Sequence, residues 1–228
     1  MIRIKPVDIV AVVISLLPFV LFVALHDSLA DRVAIHWNAA GEADGWTESD
    51  QLPIYFGVMA ALGLGVYLLL RSIKKIDPKR TAQFNEGIAI KIGIGMVTFV
   101  SAIGSLVFLP STNNLNITSI VLVMVSLLFT FLGNLMYNIK PNYFIGIRLP
   151  WTLENENNWK YTHRLAGIMW FIGGLISATL SILIGPKTMF TIFIAITVLL
   201  VLIPSIYSFI LHKRTSQSES KQGSDRSL

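Results

Sequence analysis

Residues 133–167 read GNLMYNIKPNYFIGIRLPWTLENENNWKYTHRLAG, and here an otherwise apolar chain gathers charged, amide and indole side chains. The stretch carries Lys140, Arg148, Lys160, Arg164, Glu154, Glu156 and His163, with Trp151 and Trp159 between them, and strongly apolar runs flank it on both sides. A polar segment so placed lies at a membrane surface or in a cavity, and it is the candidate functional segment. Its turn grammar is legible. Pro141 and Pro150 push Lys140 and Leu149 out of the helical region, which predicts a short extended or looped piece over 143–148 and a helix beginning near Thr152.

On either side of this stretch the composition fixes the class. Of 228 residues, 54% are hydrophobic and only 14% charged, which excludes an ordinary soluble domain. Six apolar runs, at 7–25, 52–70, 88–109, 117–136, 165–184 and 189–211, are long enough to cross a hydrocarbon core of about 30 Å at about 1.5 Å per residue. The expected fold is therefore all-α: a multi-pass membrane protein with six transmembrane helices. Of its 18 Lys and Arg residues, fifteen fall before the first run, between the second and third, between the fourth and fifth, or after the sixth. Only Arg32 and Lys187 fall on the other side, with Lys91 inside the third run. This bias places both termini and the loop 137–164 in the cytoplasm. The net charge of +5 follows topology rather than a basic stripe, so nucleic acid is not an expected partner and the lipid bilayer is. With no cysteine there is no disulfide, thiol nucleophile or CxxC metal site. Three units are expected: 1–110, a three-helix membrane domain with an acidic outer loop; 111–213, a second three-helix domain holding the loop 137–164; and 214–228, a Ser-rich polar tail read as disordered.

Several local features carry two readings each. The first run follows Arg3 and Lys5 and precedes a faint cleavage-like Ser28-Leu29-Ala30, but its length favours an uncleaved anchor over a signal peptide. Asp8 and Lys91 read as groups snorkelling to the inner interface in preference to an ion pathway. The outer loop 26–51 sets Asp27, Asp31, Glu42, Asp44, Glu48 and Asp50 beside His26 and His36; without a ligand spacing, it reads as a solvated surface with turns at Ala40-Gly41 and Asp44-Gly45 rather than a metal site. Trp37 and Trp46 belong at the outer interface or brace that loop. Ala89 and Gly93, Ser101 and Ser105, and Gly174 and Ala178 are four apart and read as helix-packing positions. Pro18 and Pro204 interrupt helix hydrogen bonds within the first and sixth runs. Division near Asn113 gives two sets of three runs in opposite orientation, the plan of an inverted repeat, with no residue-level similarity to support it.

If Thr152 caps a helix, its hydroxyl satisfies an early N–H while Glu154 and Glu156 face the positive end of the dipole. Glu156, Trp159, Lys160 and His163 then share a face, with Glu156 and Lys160 spaced as an ion pair, as on a helix lying along the inner membrane surface. An enzymatic reading makes Glu154 or Glu156 and His163 an acid–base pair or metal ligands, with Arg148 holding an anion. The competing reading has the charges paired with one another and with lipid phosphates, the tryptophans at headgroup level and the prolines shaping a turn. No HExxH, P-loop or serine elbow is present, which favours structure or partner binding; no catalytic residue, cofactor or metal is expected. Asn134, in the last turns of the fourth run, is expected to bond across helices.

At these residues the chain resembles the SdpI family of bacterial immunity proteins. The resemblance rests on Gly133-Asn134, on Lys140-Pro141-Asn142-Tyr143-Phe144-Ile145-Gly146-Ile147-Arg148, on Pro150-Trp151-Thr152-Leu153, and on Glu156, Trp159 and Thr162-His163-Arg164. Upstream, Pro18 and the loop from His36-Trp37-Asn38 through Gly41 and Asp44-Gly45 are similar to a small membrane domain of unknown role that often precedes this motif. The sequence departs from the common pattern at Leu149, where threonine is usual, and at Met136-Tyr137-Asn138. The resemblance implies a cell-membrane protein that protects its producer from a secreted Sdp-type toxin. It also implies, for some members, holding a cytoplasmic transcriptional repressor at the membrane. The residues it marks for toxin or partner binding are Asn134, Lys140, Pro141, Asn142, Arg148, Pro150, Trp151, Thr152, Glu156, Trp159, His163 and Arg164. A small transporter or peptide exporter, and a membrane enzyme using Glu156 and His163, are the alternatives.

Overall fold

A computed structural model of the chain describes residues 4–76, 85–109 and 116–225. Arg3, Lys79, Arg80, Arg226 and the division point near Asn113 lie outside the described residues. Among the described residues, six long helices are apolar enough to cross a membrane: α1 (Pro6–Leu25), α2 (Leu52–Ile76), α3 (Glu86–Gly104), α4 (Ile117–Met136), α6 (Glu156–Leu183) and α7 (Pro186–Asp225). A short helix, α5 (Pro150–Glu154), precedes α6. Large apolar side chains such as Val13, Val20, Ile172, Ile182 and Leu199 point outward along these helices, as they do when lipid is the solvent.

Three findings differ from the sequence expectation. The outer loop is not wholly irregular: β1 (Arg32–Trp37) and β2 (Ala43–Glu48) pair antiparallel with a register irregularity between Ala34 and His36. The hairpin turns on Asn38, whose side chain accepts from the Ala40 and Glu42 amides at 2.9 and 3.1 Å, and on Gly41 at φ +88°. Strand alternation was masked because β2, ADGWTE, is poor in β-branched residues and contains glycine. Secondly, the fifth span does not begin at Leu165: α6 runs from Glu156, so the motif helix is the upper part of a membrane helix rather than a separate helix lying on the surface. Thirdly, the tail is not structureless at its start, because α7 continues through Asp225. Once a long helix is nucleated, each further residue adds a hydrogen bond without a new nucleation cost, so a polar extension needs no apolar face of its own.

The helices pack as two sets, α1–α3 and α4, α6 and α7, and small residues decide where they touch. A Cβ on Gly93 would meet the Tyr67 ring at 2.8 Å; one on Gly133 would overlap the backbone at Phe171, and one on Gly174 the Thr130 hydroxyl. Both intramembrane prolines expose a carbonyl, and in both cases a neighbouring helix covers it. Pro18 cannot donate to Ile14, whose oxygen instead accepts from the Ser101 hydroxyl at 2.8 Å, joining α1 to α3. Pro204 frees Leu200, whose oxygen accepts from the Trp170 indole at 3.0 Å, joining α7 to α6.

Charge also holds the first set. Asp8 does not merely snorkel: it accepts from Tyr67 and from Arg71 at 2.9 Å, and Arg71 reaches Glu86 at 3.3 Å, which in turn lies 3.5 Å from Lys5. At the opposite end the hairpin turn rests on the start of α4, where the Thr118 hydroxyl donates to the Asn38 carbonyl at 2.9 Å. The hairpin therefore caps one end of the bundle and the loop 137–149 the other.

Candidate functional site

The loop after α4 is organised by Asn142, which is buried. Its Nδ2 donates to the Lys140 and Ile145 carbonyls at 2.9 and 3.1 Å, and its Oδ1 accepts from the Phe144 and Ile145 amides at 2.8 and 2.7 Å. Four bonds from one side chain substitute for the ladder or helix this backbone lacks, which explains an asparagine directly after Pro141. The loop then turns at Gly146, φ +114°, a conformation few residues other than glycine adopt. A Cβ there would run into the His163 imidazole.

His163 is buried in α6 and both its nitrogens are engaged. Nε2 accepts the Ile147 amide proton at 2.9 Å, so that nitrogen carries no proton; Nδ1 then carries it and donates to the Trp159 carbonyl at 2.8 Å. The imidazole is neutral and fixed in one tautomer. Its ring stacks on Trp159 with centroids 3.9 Å apart, and the Trp159 indole donates to the Ile139 carbonyl at 2.8 Å. Trp159 is 1% exposed and packed inside the protein rather than facing lipid: it anchors the start of the loop while His163 anchors its middle.

The end of the loop is closed by Thr152. It is not the helix cap: it lies inside α5, accepts from the Leu149 amide at 2.9 Å and returns its own proton to the carbonyl of Ile147 or Leu149, 2.9 and 2.8 Å away. The cap of α6 is Asn155, which accepts from the Asn158 amide at 2.9 Å. Behind it, Asn158 donates to the Ser208 carbonyl at 2.9 Å and accepts from the hydroxyls of Ser208 and Thr162 at 2.6 and 3.0 Å. The Trp151 indole donates to the same Ser208 hydroxyl at 2.9 Å and packs on Phe209 and His212. A continuous polar chain thus stitches α5 and α6 to α7 within the membrane end of the bundle. Asn158, Thr162 and Ser208 were absent from the sequence-derived site. The i,i+4 spacing of Asn158 and Thr162 on α6 was the available signal; Ser208, fifty residues on, had none.

The tip of the loop joins the two halves. Phe144 and Ile145 pack against Ile73 of α2 and Ala89 of α3, and Ile145 and Ile147 also join the cluster of Ile88, Ile92, Leu135, Met136, Ile139 and Trp159. Hence Asn142, Thr152, Trp159 and His163 converge on one internal construction. Lys140, Pro150, Glu156 and Arg164 are left at its rim, together with Arg148, which donates to the Tyr143 carbonyl at 2.8 Å, and Arg164 lies over the Tyr137 ring at 5.4 Å. The expected Glu156–Lys160 ion pair is not formed, since both side chains are exposed and free to take water instead. Asn134 is exposed and has no side-chain hydrogen bond among the described residues, so the cross-helix bond expected of it is not made. Gly133 beside it, with Gly167, instead lets the backbones of α4 and α6 approach. Among the described residues, no three His, Cys, Asp or Glu side chains come together as metal ligands.

Residues 138–208, which hold Asn142, Thr152, Asn158, Trp159, His163 and Ser208, match the SdpI/YfhL protein family, and residues 13–49, which hold most of α1 and the hairpin, match DUF1648, a domain of unknown function. The chain is similar over nearly all its length to the immunity protein SdpI of Bacillus subtilis (strain 168): 26% identical over 216 residues, 92% of this chain and 98% of that protein. No solved structure matches. The resemblance first read from the motif therefore rests on both parts of the molecule, a multi-pass membrane protein in which a segment that matches the SdpI/YfhL family follows one that matches DUF1648.

Proposed function

We propose that the chain is a membrane immunity protein that gives its producer resistance to a secreted toxin of the Sdp type, with the hairpin outside and the loop 137–149 and both termini inside. The orientation follows the fifteen-to-two division of Lys and Arg. The observation that carries a non-enzymatic role is His163, the residue best suited to acid–base chemistry, whose two nitrogens are both committed to holding backbone. The similarity to an immunity protein along 98% of that relative's length supports the same reading.

In this reading the units 1–110 and 111–213 work as one body, because the motif loop is wedged between α2 and α3. The toxin is met at the hairpin, whose acidic side chains and half-exposed Trp46 face outward. A second role, holding a transcriptional repressor at the inner surface, is supported by the exposed rim of Lys140, Arg148, Lys160 and Arg164. The test is survival of toxin-sensitive bacteria expressing the chain against a panel of Sdp-type toxins, beside an Arg148→Ala form at equal membrane abundance. Protection by the natural sequence is expected; its failure against every toxin at confirmed abundance would overturn the immunity reading. A reporter of the repressor's target that responds to Lys140→Glu/Lys160→Glu without loss of protection would carry the second role.

A further inference from the structure

Where the two halves meet side by side, α3 and α4 part and leave an open groove of about 620 Å³. Ile94, Thr98, Phe99 and Ala102 line one wall and Leu127 and Leu128 the other. Its floor is the Phe131 ring seated on Gly95, where a Cβ would overlap the ring. At one end stands Lys91, exposed and without a hydrogen bond or ion pair among the described residues. Glu86, the acid nearest to it along α3, is already engaged by Lys5 and Arg71.

Length and charge together define what fits. From Lys91 to Ala102 the helix rises about 16 Å, close to half of the roughly 30 Å hydrocarbon core, so the groove spans one leaflet. Lys91 lies at the motif-loop end, and its four-carbon stem can lift the ammonium to headgroup level. An apolar trough one leaflet deep, with a single unpaired cation at its mouth, matches an acyl chain beneath an anionic phosphate. We propose that this groove seats one anionic phospholipid of the leaflet on the motif-loop side, its phosphate on Lys91 and an acyl chain along Ile94, Thr98 and Leu127. The lipid fills the seam that α3 and α4 leave open and so completes the contact between the two halves. A zwitterionic headgroup brings its own cation close to Lys91 and is the poorer ligand.

The experiment is native mass spectrometry of the full chain in mild detergent with phosphatidylglycerol or phosphatidylcholine of identical acyl chains. The wild type should retain one phosphatidylglycerol about fivefold better than phosphatidylcholine, the factor one basic residue near an anionic surface supplies. Lys91→Gln should lose that preference and Lys91→Arg keep it, while Ala102→Trp, which fills the trough, should lower retention of both lipids at an unchanged thermal midpoint. Equal retention of the two lipids by the wild type, or a preference that survives Lys91→Gln, would overturn the proposal and leave Lys91 as a snorkelling cation. A wild-type dimer that Ala102→Trp converts to monomer would overturn it in favour of a second copy of the chain in the groove.

Discussion

His163→Ala separates a structural from a chemical role for the motif, and its cost can be worked from the contacts. Removing the imidazole leaves the Ile147 N–H without an acceptor in a partly buried loop, which costs about 1–3 kcal/mol. It also leaves a void against the Trp159 ring, 3.9 Å away, worth about 2–3 kcal/mol if the surroundings relax only in part. These effects share one site and do not simply add, so a loss of about 3–5 kcal/mol is expected. In a chain of this length that lowers the thermal midpoint by about 10 °C. His163→Gln places a side-chain oxygen near the position of Nε2 and should recover about half of the loss. The assay is the thermal midpoint of the detergent-solubilised protein, measured beside membrane abundance and toxin survival. A His163→Ala protein that melts within 2–3 °C of the wild type, roughly 1 kcal/mol on the same scale, refutes the anchoring argument. If that protein is also abundant and unprotective, chemistry at His163 returns.

Gly146→Ala should cost about 2–4 kcal/mol, from the left-handed backbone and from overlap with His163; in a His163→Ala background the overlap vanishes, so the double variant should be more stable than the sum of the two singles, measured by the same melting assay. Ser101→Ala and Trp170→Phe each remove the donor that satisfies a proline-freed carbonyl, in different halves of the bundle, and should cost about 1 kcal/mol apiece and add when combined. Arg71→Ala strands Asp8 beside Tyr67 and should destabilise by about 2–3 kcal/mol, with Asp8→Asn milder because Arg71 keeps Glu86 as its partner; thermal midpoints of the two variants check the order. Glu156→Gln should leave both the midpoint, within about 0.5 kcal/mol, and toxin survival unchanged, because the side chain is exposed and unpaired.

The six spans were legible because the membrane imposes a length and a polarity on every crossing helix, and the sequence obeys both. The two prolines were legible as broken hydrogen bonds, and Ser101 as a packing position, but their connection was not: that Ser101 covers the carbonyl freed by Pro18 depends on α1 and α3 being neighbours, eighty-seven residues apart. The same limit hid Arg71 as the partner of Asp8, since a basic residue at the end of a span reads as topology before it reads as an ion pair. The hairpin was missed for a local reason, its weak strand composition.

Within the motif, residue type was the wrong guide to exposure. Charge, amide and indole in one stretch suggested a surface, yet Asn142, Thr152, Trp159 and His163 are internal because irregular backbone at the membrane end of a bundle cannot be left to lipid, and every amide and carbonyl turned away from water requires a partner. These four side chains supply partners the backbone cannot find in itself. Their polarity is thus spent on the loop's own backbone, whereas that of Lys140, Lys160 and Arg164 faces outward, and Arg148, though exposed, also holds the Tyr143 carbonyl. Substitutions in the first group should alter stability before function, and substitutions in the second should alter partner contact at unchanged stability. A loss of protection confined to the second group would place the working surface at the rim; a loss that tracks melting temperature across the first group would make the motif a clamp that holds α2 and α3 against α4 and α6.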